Sequence, residues 1–203
     1  MNKIGVFGGT FDPVHNGHIW LARQAADELA LDQVVVVPAK NQPFKLDRRV
    51  TSGEHRFKML ELAFADCGVI SVSDIELKKD AVSYTIDTLK EIRGMYGRAA
   101  EIFFILGADA FRKIEKWKDA EELLSDYSFA VGTRPGFEET GLNGFFSSIR
   151  GKYGTKIFTV NNTLIEISST EIKDMIKTGE RLSAVPEDVE RYIIENGLYQ
   201  GLY

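Results

Sequence analysis

Apolar positions along this chain follow two alternating rhythms. Short runs rich in β-branched and aromatic residues, KIGVF (3–7), QVVVVP (33–38), GVISV (68–72), EIFFIL (101–106), YSFAVG (127–132) and KIFTV (156–160), read as strands. Several are apolar throughout, as expected of strands buried on both faces. Between them, HIWLARQAADELAL (18–31), EHRFKMLELAFADC (54–67), SYTIDTLKEIRGMY (83–96) and KDAEELLSDY (118–127) place apolar residues at helical spacing. Thr51 and Glu54 have capping-box spacing, which puts the start of the second helix near Gly53. Strands alternating with helices imply right-handed crossovers and a parallel sheet covered on both sides. The expected fold is α/β, a doubly wound Rossmann-like sheet.

The rhythm changes near the end. ISSTEIKDMIKTG (167–179) and VPEDVERYIIENGLY (185–199) read as two consecutive helices, the second with Pro186 at its first position, and they end near Gly179 and Gly197. The chain is therefore expected to be one domain, an α/β core over 1–166 with a small helical C-terminal extension over 167–203. The irregular stretches 39–53 and 133–144 follow strands, so both should hang over the carboxyl edge of the sheet, where such folds bind ligands.

Composition narrows the function classes. With 203 residues, 44% hydrophobic and 27% charged, the chain has the make-up of a globular protein with a full core. A formal charge of −5 argues against nucleic acid as a partner. No window approaches the roughly 20 apolar residues of a membrane span. A cytoplasmic protein is expected, and a homo-oligomer is left open. Cys67 is the sole cysteine, so neither an intramolecular disulfide nor a cysteine-based zinc cluster can form within the chain. It reads as a small apolar residue at a helix end.

Two of the three histidines stand three residues apart in GVFGGTFDPVHNGH (5–18), directly after a strand and a glycine pair. Gly8 and Gly9 would let the backbone turn tightly and approach a ligand with its amides exposed. The helix that starts near Gly17 offers free N–H groups and a partial positive charge, which suit phosphate. No G-x-G-x-x-G can be read here, so this is not the dinucleotide pattern. His15 and His18 can face one spot. The remaining histidine, His55, lies in a distant helix, which disfavours zinc. Imidazoles beside phosphates serve well as donors to oxygens whose charge grows in the transition state.

GGTFDPVHNGH resembles the opening of the nucleotidylyltransferases with the H-x-G-H motif, met here as His15-Asn16-Gly17-His18. Within that superfamily the chain is similar to the bacterial nicotinate-nucleotide adenylyltransferase family almost end to end. DIELKKDAVSYTIDTL (74–89), FILGADAFRKIEKW (104–117), TRPG (133–136), ISSTEI (167–172) and YIIENGLY (192–199) fall where that family places its segments. The resemblance implies transfer of the adenylyl group of ATP to nicotinate mononucleotide, with Mg2+ accompanying the ATP. It further implies His18 on the α-phosphate, His15 on the adjoining phosphates, and Thr10 with the Gly8–Gly9 amides as a phosphate turn. Asp12 is either part of that turn's chemistry or only its cap.

Ser168 and Glu171 have capping-box spacing, so a helix should begin near Ser169. The resemblance makes its N-terminus a second phosphate seat, with Ser168 and Ser169 on the β- and γ-phosphates. It also implies Lys45 as a phosphate cation, Arg134 near the adenine, Trp117 stacked on the pyridine ring, and Asp109 on a ribose hydroxyl or beside the metal. The Tyr84 and Thr85 amides, with the Thr85 hydroxyl, would receive the substrate carboxylate and so prefer the acid to the amide. Two positions depart from the family: Lys173 stands where arginine is common, losing the bidentate fork, and Phe44 precedes Lys45 where histidine is frequent. Two other readings stay open. One is an adenylyltransferase for another phosphate acceptor, such as nicotinamide mononucleotide, phosphopantetheine or riboflavin phosphate. The other is a non-catalytic adenine-nucleotide sensor. Aminoacyl-tRNA synthetase chemistry shares an H-x-G-H element, but no K-M-S-K-S-like loop is present.

Overall fold

The computed structural model describes residues 2–40, 50–79, 82–133, 141–161, 168–180 and 182–200. Six strands, β1 (Lys3–Gly9), β2 (Gln33–Pro38), β3 (Ile70–Val72), β4 (Glu101–Gly107), β5 (Ser128–Thr133) and β6 (Lys156–Asn161), form one sheet. Every pairing is parallel and the order is β3-β2-β1-β4-β5-β6. This is the doubly wound arrangement that the alternation of patterns predicts.

The apolar runs divide between the two faces with a period of two. Val34 and Val36 of β2 enter one cluster of buried side chains, whereas Val35 and Val37 enter the other. In β4, Phe103 and Ile105 join the first cluster and Ile102, Phe104 and Leu106 the second. On the first face lie α1 (Asn16–Glu28) and α2 (Gly53–Ala63). The C-terminal helices α7 (Ser169–Thr178) and α8 (Glu187–Glu195) join them there, contributing Ile172, Val189 and Ile193 to the same cluster. On the second face lie α3 (Thr85–Tyr96), α5 (Ala120–Asp126) and α6 (Leu142–Tyr153). Each such aliphatic side chain contributes roughly 1.5–3 kcal/mol when withdrawn from water.

Several elements differ from the sequence reading. The segment after β4 breaks into a short α4 (Ala108–Phe111) and a 3-10 turn over Ile114–Lys116. α6 was not legible from periodicity. It buries Leu142, Phe146 and Ile149 at helical spacing, but carries Gly144 and Gly151 inside, each unfavourable by roughly 1 kcal/mol relative to alanine. Packing against the sheet outweighs that cost. Thr51 is not the cap of α2; Ser52 is, its hydroxyl accepting from the His55 amide at 3.4 Å. Pro186 is the N-cap of α8 rather than its first helical residue. Among the described residues no helix is long and apolar enough to cross a membrane. The irregular stretches leave the carboxyl ends of β2 and β5 as expected; residues 41–49 and 134–140 within them lie outside the described residues.

Candidate active site

Strand order reverses between β1 and β4, which carry the chain away in opposite directions across the sheet. Loops diverge at such a point and leave a crevice at the carboxyl ends of the strands. Here the crevice is a cleft of about 1100 Å³, lined by Gly8 and Gly9 of β1 and by Thr10 after it. Tyr84, Thr85, Asp109, Trp117 and Ser168 line it as well.

Gly8 and Gly9 do not make the turn. Both are still paired in β1, opposite Val37 and Pro38. The chain turns at Phe11, whose φ of 51° lies in the left-handed region, a conformation costing roughly 1 kcal/mol or more for a residue with a Cβ. Packing offsets this: the Phe11 ring meets Phe7 edge-on at 5.2 Å and His18 at 5.0 Å. Gly9 is needed because a Cβ there would stand 2.8 Å from the Phe11 ring.

α1 begins under the two histidines. His15 is its N-cap and His18 its third residue, and the rings stack with centroids 3.7 Å apart. The His15 amide donates to His18 Nδ1 at 3.3 Å. In the neutral ring this puts the proton on Nε2. His15 is buried and His18 half-buried, and both line the cleft. His55 is elsewhere, its Nδ1 2.8 Å from the Tyr192 hydroxyl.

Beneath the turn after β1 lies a buried polar network that the sequence reading missed. Asp12 Oδ1 accepts from the Tyr199 hydroxyl at 2.8 Å and from the Thr51 amide at 3.3 Å, while Oδ2 pairs with the Lys173 ammonium. Arg56, only 2% exposed, donates to the Thr10 carbonyl at 2.8 Å and to the Thr51 carbonyl at 2.9 Å. Burial lowers the Arg56 pKa and the charge of Asp12 opposes this, so the group remains a cation at neutral pH. Two cations and one carboxylate thus sit under the turn, which favours an anion above it. A signal for Arg56 existed: with Met59, Leu60 and Ala63 it occupies one i, i+3, i+4, i+7 stripe of α2, an apolar face on which a charge must be paired.

Of the residues expected at a second anion seat, Ser168 lies at the cleft, and Ser169 and Lys173 bond elsewhere. Ser168 caps α7 through a complete capping box with Glu171 and lines the cleft. Ser169 and Lys173 depart from expectation. The Ser169 hydroxyl donates to the Pro13 carbonyl at 3.0 Å, and the Lys173 ammonium is engaged by Asp12 outside the cleft lining. Lys45 and Arg134 lie outside the described residues.

Tyr84 is the N-cap of α3 and Thr85 its first residue, so the start of that helix, with its unsatisfied amides, lies at the cleft. Trp117 does not sit on a helix but on extended backbone after the 3-10 turn, half-buried, with its indole edge-on to Phe104 at 6.0 Å. Asp109 lies in the first turn of α4, two residues past the end of β4, and is exposed. Glu76 is a second unforeseen group. It lines the cleft while almost wholly buried, and accepts from the Thr88 hydroxyl at 2.6 Å. Burial holds its carboxyl above the ordinary range, against the bond from Thr88.

Residues 6–175 match the family model described as cytidylyltransferase-like. A protein of Thermoanaerobacter sp. (strain X514), named "Probable nicotinate-nucleotide adenylyltransferase", is 41% identical over 199 residues, covering 98% of this chain and 94% of the relative. A relative of the same name from Desulfitobacterium hafniense (strain DSM 10664 / DCB-2) is 39% identical over 204 residues, with 98% and 96% covered. Among solved structures, Plasmodium falciparum nicotinic acid mononucleotide adenylyltransferase complexed with NaAD is similar in fold, with a TM-score of 0.79 over 98% of each chain at 20% identity.

Proposed function

This chain belongs to the cytidylyltransferase-like family and, within it, to the nicotinate-nucleotide adenylyltransferases; on that premise we propose that it joins nicotinate mononucleotide to the adenylyl group of ATP, giving deamido-NAD and pyrophosphate. The observation that carries the reading is the stacked His15–His18 pair at the start of α1, opening on the cleft at the switch point of the sheet. A phosphate oxygen of the mononucleotide attacks the α-phosphorus in line. The bond to the β-phosphate bridging oxygen breaks, and pyrophosphate leaves with the electron pair. No side chain has to act as a nucleophile, so catalysis is alignment plus neutralisation of the phosphoryl oxygens.

In this reading His18 Nε2–H donates to the α-phosphate as its charge grows, and His15 serves the phosphate beside it. Thr10, the Gly8–Gly9 backbone and the N-termini of α1 and α7 with Ser168 cradle the remaining oxygens. Lys45 and Arg134 are proposed for the triphosphate and the adenine from the family resemblance alone. The Tyr84 and Thr85 amides receive the nicotinate carboxylate, Trp117 stacks on the pyridine ring and Asp109 takes a ribose hydroxyl. An anion gains more than an amide oxygen from a helix N-terminus, which underlies the preference for the acid. Mg2+ is expected to enter on the ATP phosphates and to screen their charge. The donors suit it, because magnesium needs few protein carboxylates, and Asp109 is the exposed one lining the cleft among the described residues. The reading places the reaction in the cytoplasm, with the single Cys67 in keeping with a reducing compartment.

Pyrophosphate release from MgATP, measured side by side with nicotinate and nicotinamide mononucleotides, tests the proposal. Turnover with the acid and little with the amide is expected. Comparable rates would overturn the role given to Tyr84 and Thr85, and silence with both would overturn the reaction.

A further inference from the structure

The loop from Thr10 to Asn16 holds its shape through bonds from elsewhere in the chain. Arg56 of α2 takes the Thr10 carbonyl, and the Ser169 hydroxyl of α7 takes the Pro13 carbonyl. The Asn16 amide donates to the Ala184 carbonyl at 2.8 Å and its side chain to the Ser183 carbonyl at 3.3 Å, both in the segment before α8. At the centre stands Asp12, 5% exposed, whose Oδ1 is held by the hydroxyl of Tyr199, itself 3% exposed and 187 residues distant in sequence. Burial and the neighbouring Asp12 charge push the Tyr199 pKa far up, so its hydroxyl stays protonated and donates throughout the working pH range.

We propose that Tyr199 is a positioning residue for adenylyl transfer: its hydroxyl anchors Asp12 and thereby sets the loop that carries His15 and His18 to the reacting phosphate. This rests on the function proposed above. The distance along the chain is short, since His15 follows Asp12 by three residues and Val14 between them is fully buried. A shift at Asp12 is therefore passed to the histidine pair instead of being absorbed by slack. Without the hydroxyl, Oδ1 keeps, among the described residues, the longer bond from the Thr51 amide, and the carboxylate is drawn toward Lys173 on its other oxygen. The mononucleotide site, built on α3 and Trp117, makes none of these contacts. The effect should thus fall on the chemical step and not on mononucleotide binding.

Tyr199→Phe keeps the ring and deletes only the hydroxyl. With wild-type turnover established, kcat is expected to fall about tenfold or more, as misplacement of a reacting group does, while the KM for nicotinate mononucleotide stays within about twofold. Unfolding in urea shows whether the variant remains folded at the assay temperature. An unchanged kcat in a folded but less stable variant would mean that Tyr199 is only structural, and would overturn the inference. Asp12→Asn serves if Tyr199→Phe does not fold: the same split between kcat and KM is expected, and a normal kcat would overturn the inference. If both single variants fold, adding Tyr199→Phe to Asp12→Asn should cost less in kcat than Tyr199→Phe costs in the wild type, because the hydroxyl acts through Asp12; losses that multiply would overturn it. A wild-type enzyme that releases no pyrophosphate would instead refute the underlying function.

Discussion

At His18 the bond from the His15 amide to Nδ1 fixes which nitrogen can serve the substrate. His18→Ala should therefore leave the fold intact and lower turnover by about 10² to 10³, the loss of one donor made strong in the transition state. Steady-state pyrophosphate release checks this, and a drop below about tenfold would remove His18 from the chemistry. Trp117 meets Phe104 edge-on and lines the cleft. Trp117→Ala should weaken mononucleotide binding and spare that of ATP; titration calorimetry showing equal losses would make the indole a core residue. Glu76 makes a pH prediction. Its folded-state pKa lies above the unfolded value, so between the two the folded chain holds more protons, and stability falls as pH rises through that window. Glu76→Gln removes the titration and keeps an acceptor for Thr88. Urea unfolding at about pH 4 and about pH 8 should show the variant gaining on the wild type at the higher pH; parallel curves would refute this.

Among the elements, α7 joins stability to the site. Its capping box is complete, the Ser168 hydroxyl taking the Glu171 amide at 3.2 Å and Glu171 taking the Ser168 amide at 2.7 Å. Ser168→Ala should cost about 1 kcal/mol of stability and raise the KM for ATP more than that for the mononucleotide. Thermal melting together with two substrate titrations separates the effects, and a loss of stability alone would deny Ser168 a phosphate. The same cap was legible from two residues three apart, because capping is local. α6 was hidden for the opposite reason: its helix is made by a burying surface, not by its own glycine-interrupted sequence. α2 lies between these cases, its start visible but its cap shifted from Thr51 to Ser52.

For the whole molecule, the C-terminal helices are part of the core. Ile172, Val185, Val189, Ile193, Leu198 and Tyr199 share one apolar cluster with Phe7 of β1 and with Phe11 and Val14 of the loop after it. On this packing we propose that residue 166 marks a change of pattern along the chain and not a seam between folding units. A chain ended at residue 166 should lose cooperative thermal unfolding, because it leaves that cluster open to water and the Asp12 carboxylate without Tyr199 or Lys173. Circular dichroism melting decides it; a truncated chain that melts cooperatively and still binds ATP would make the extension an appendage.

The sequence by itself determined the doubly wound class, the two terminal helices, the histidine pair at a helix start and the cap at Ser168. All of these are written in spacings of two to seven residues. It also placed Tyr84, Thr85, Asp109 and Trp117 in segments that the fold brings to the cleft. Only the tertiary structure decided what supports the site. Lys173 is occupied by Asp12, Arg56 lies beneath Thr10, and Tyr199 reaches a residue at the other end of the chain. No local pattern encodes these contacts, because a buried charge finds its partner only when the fold has removed the water that would otherwise solvate it.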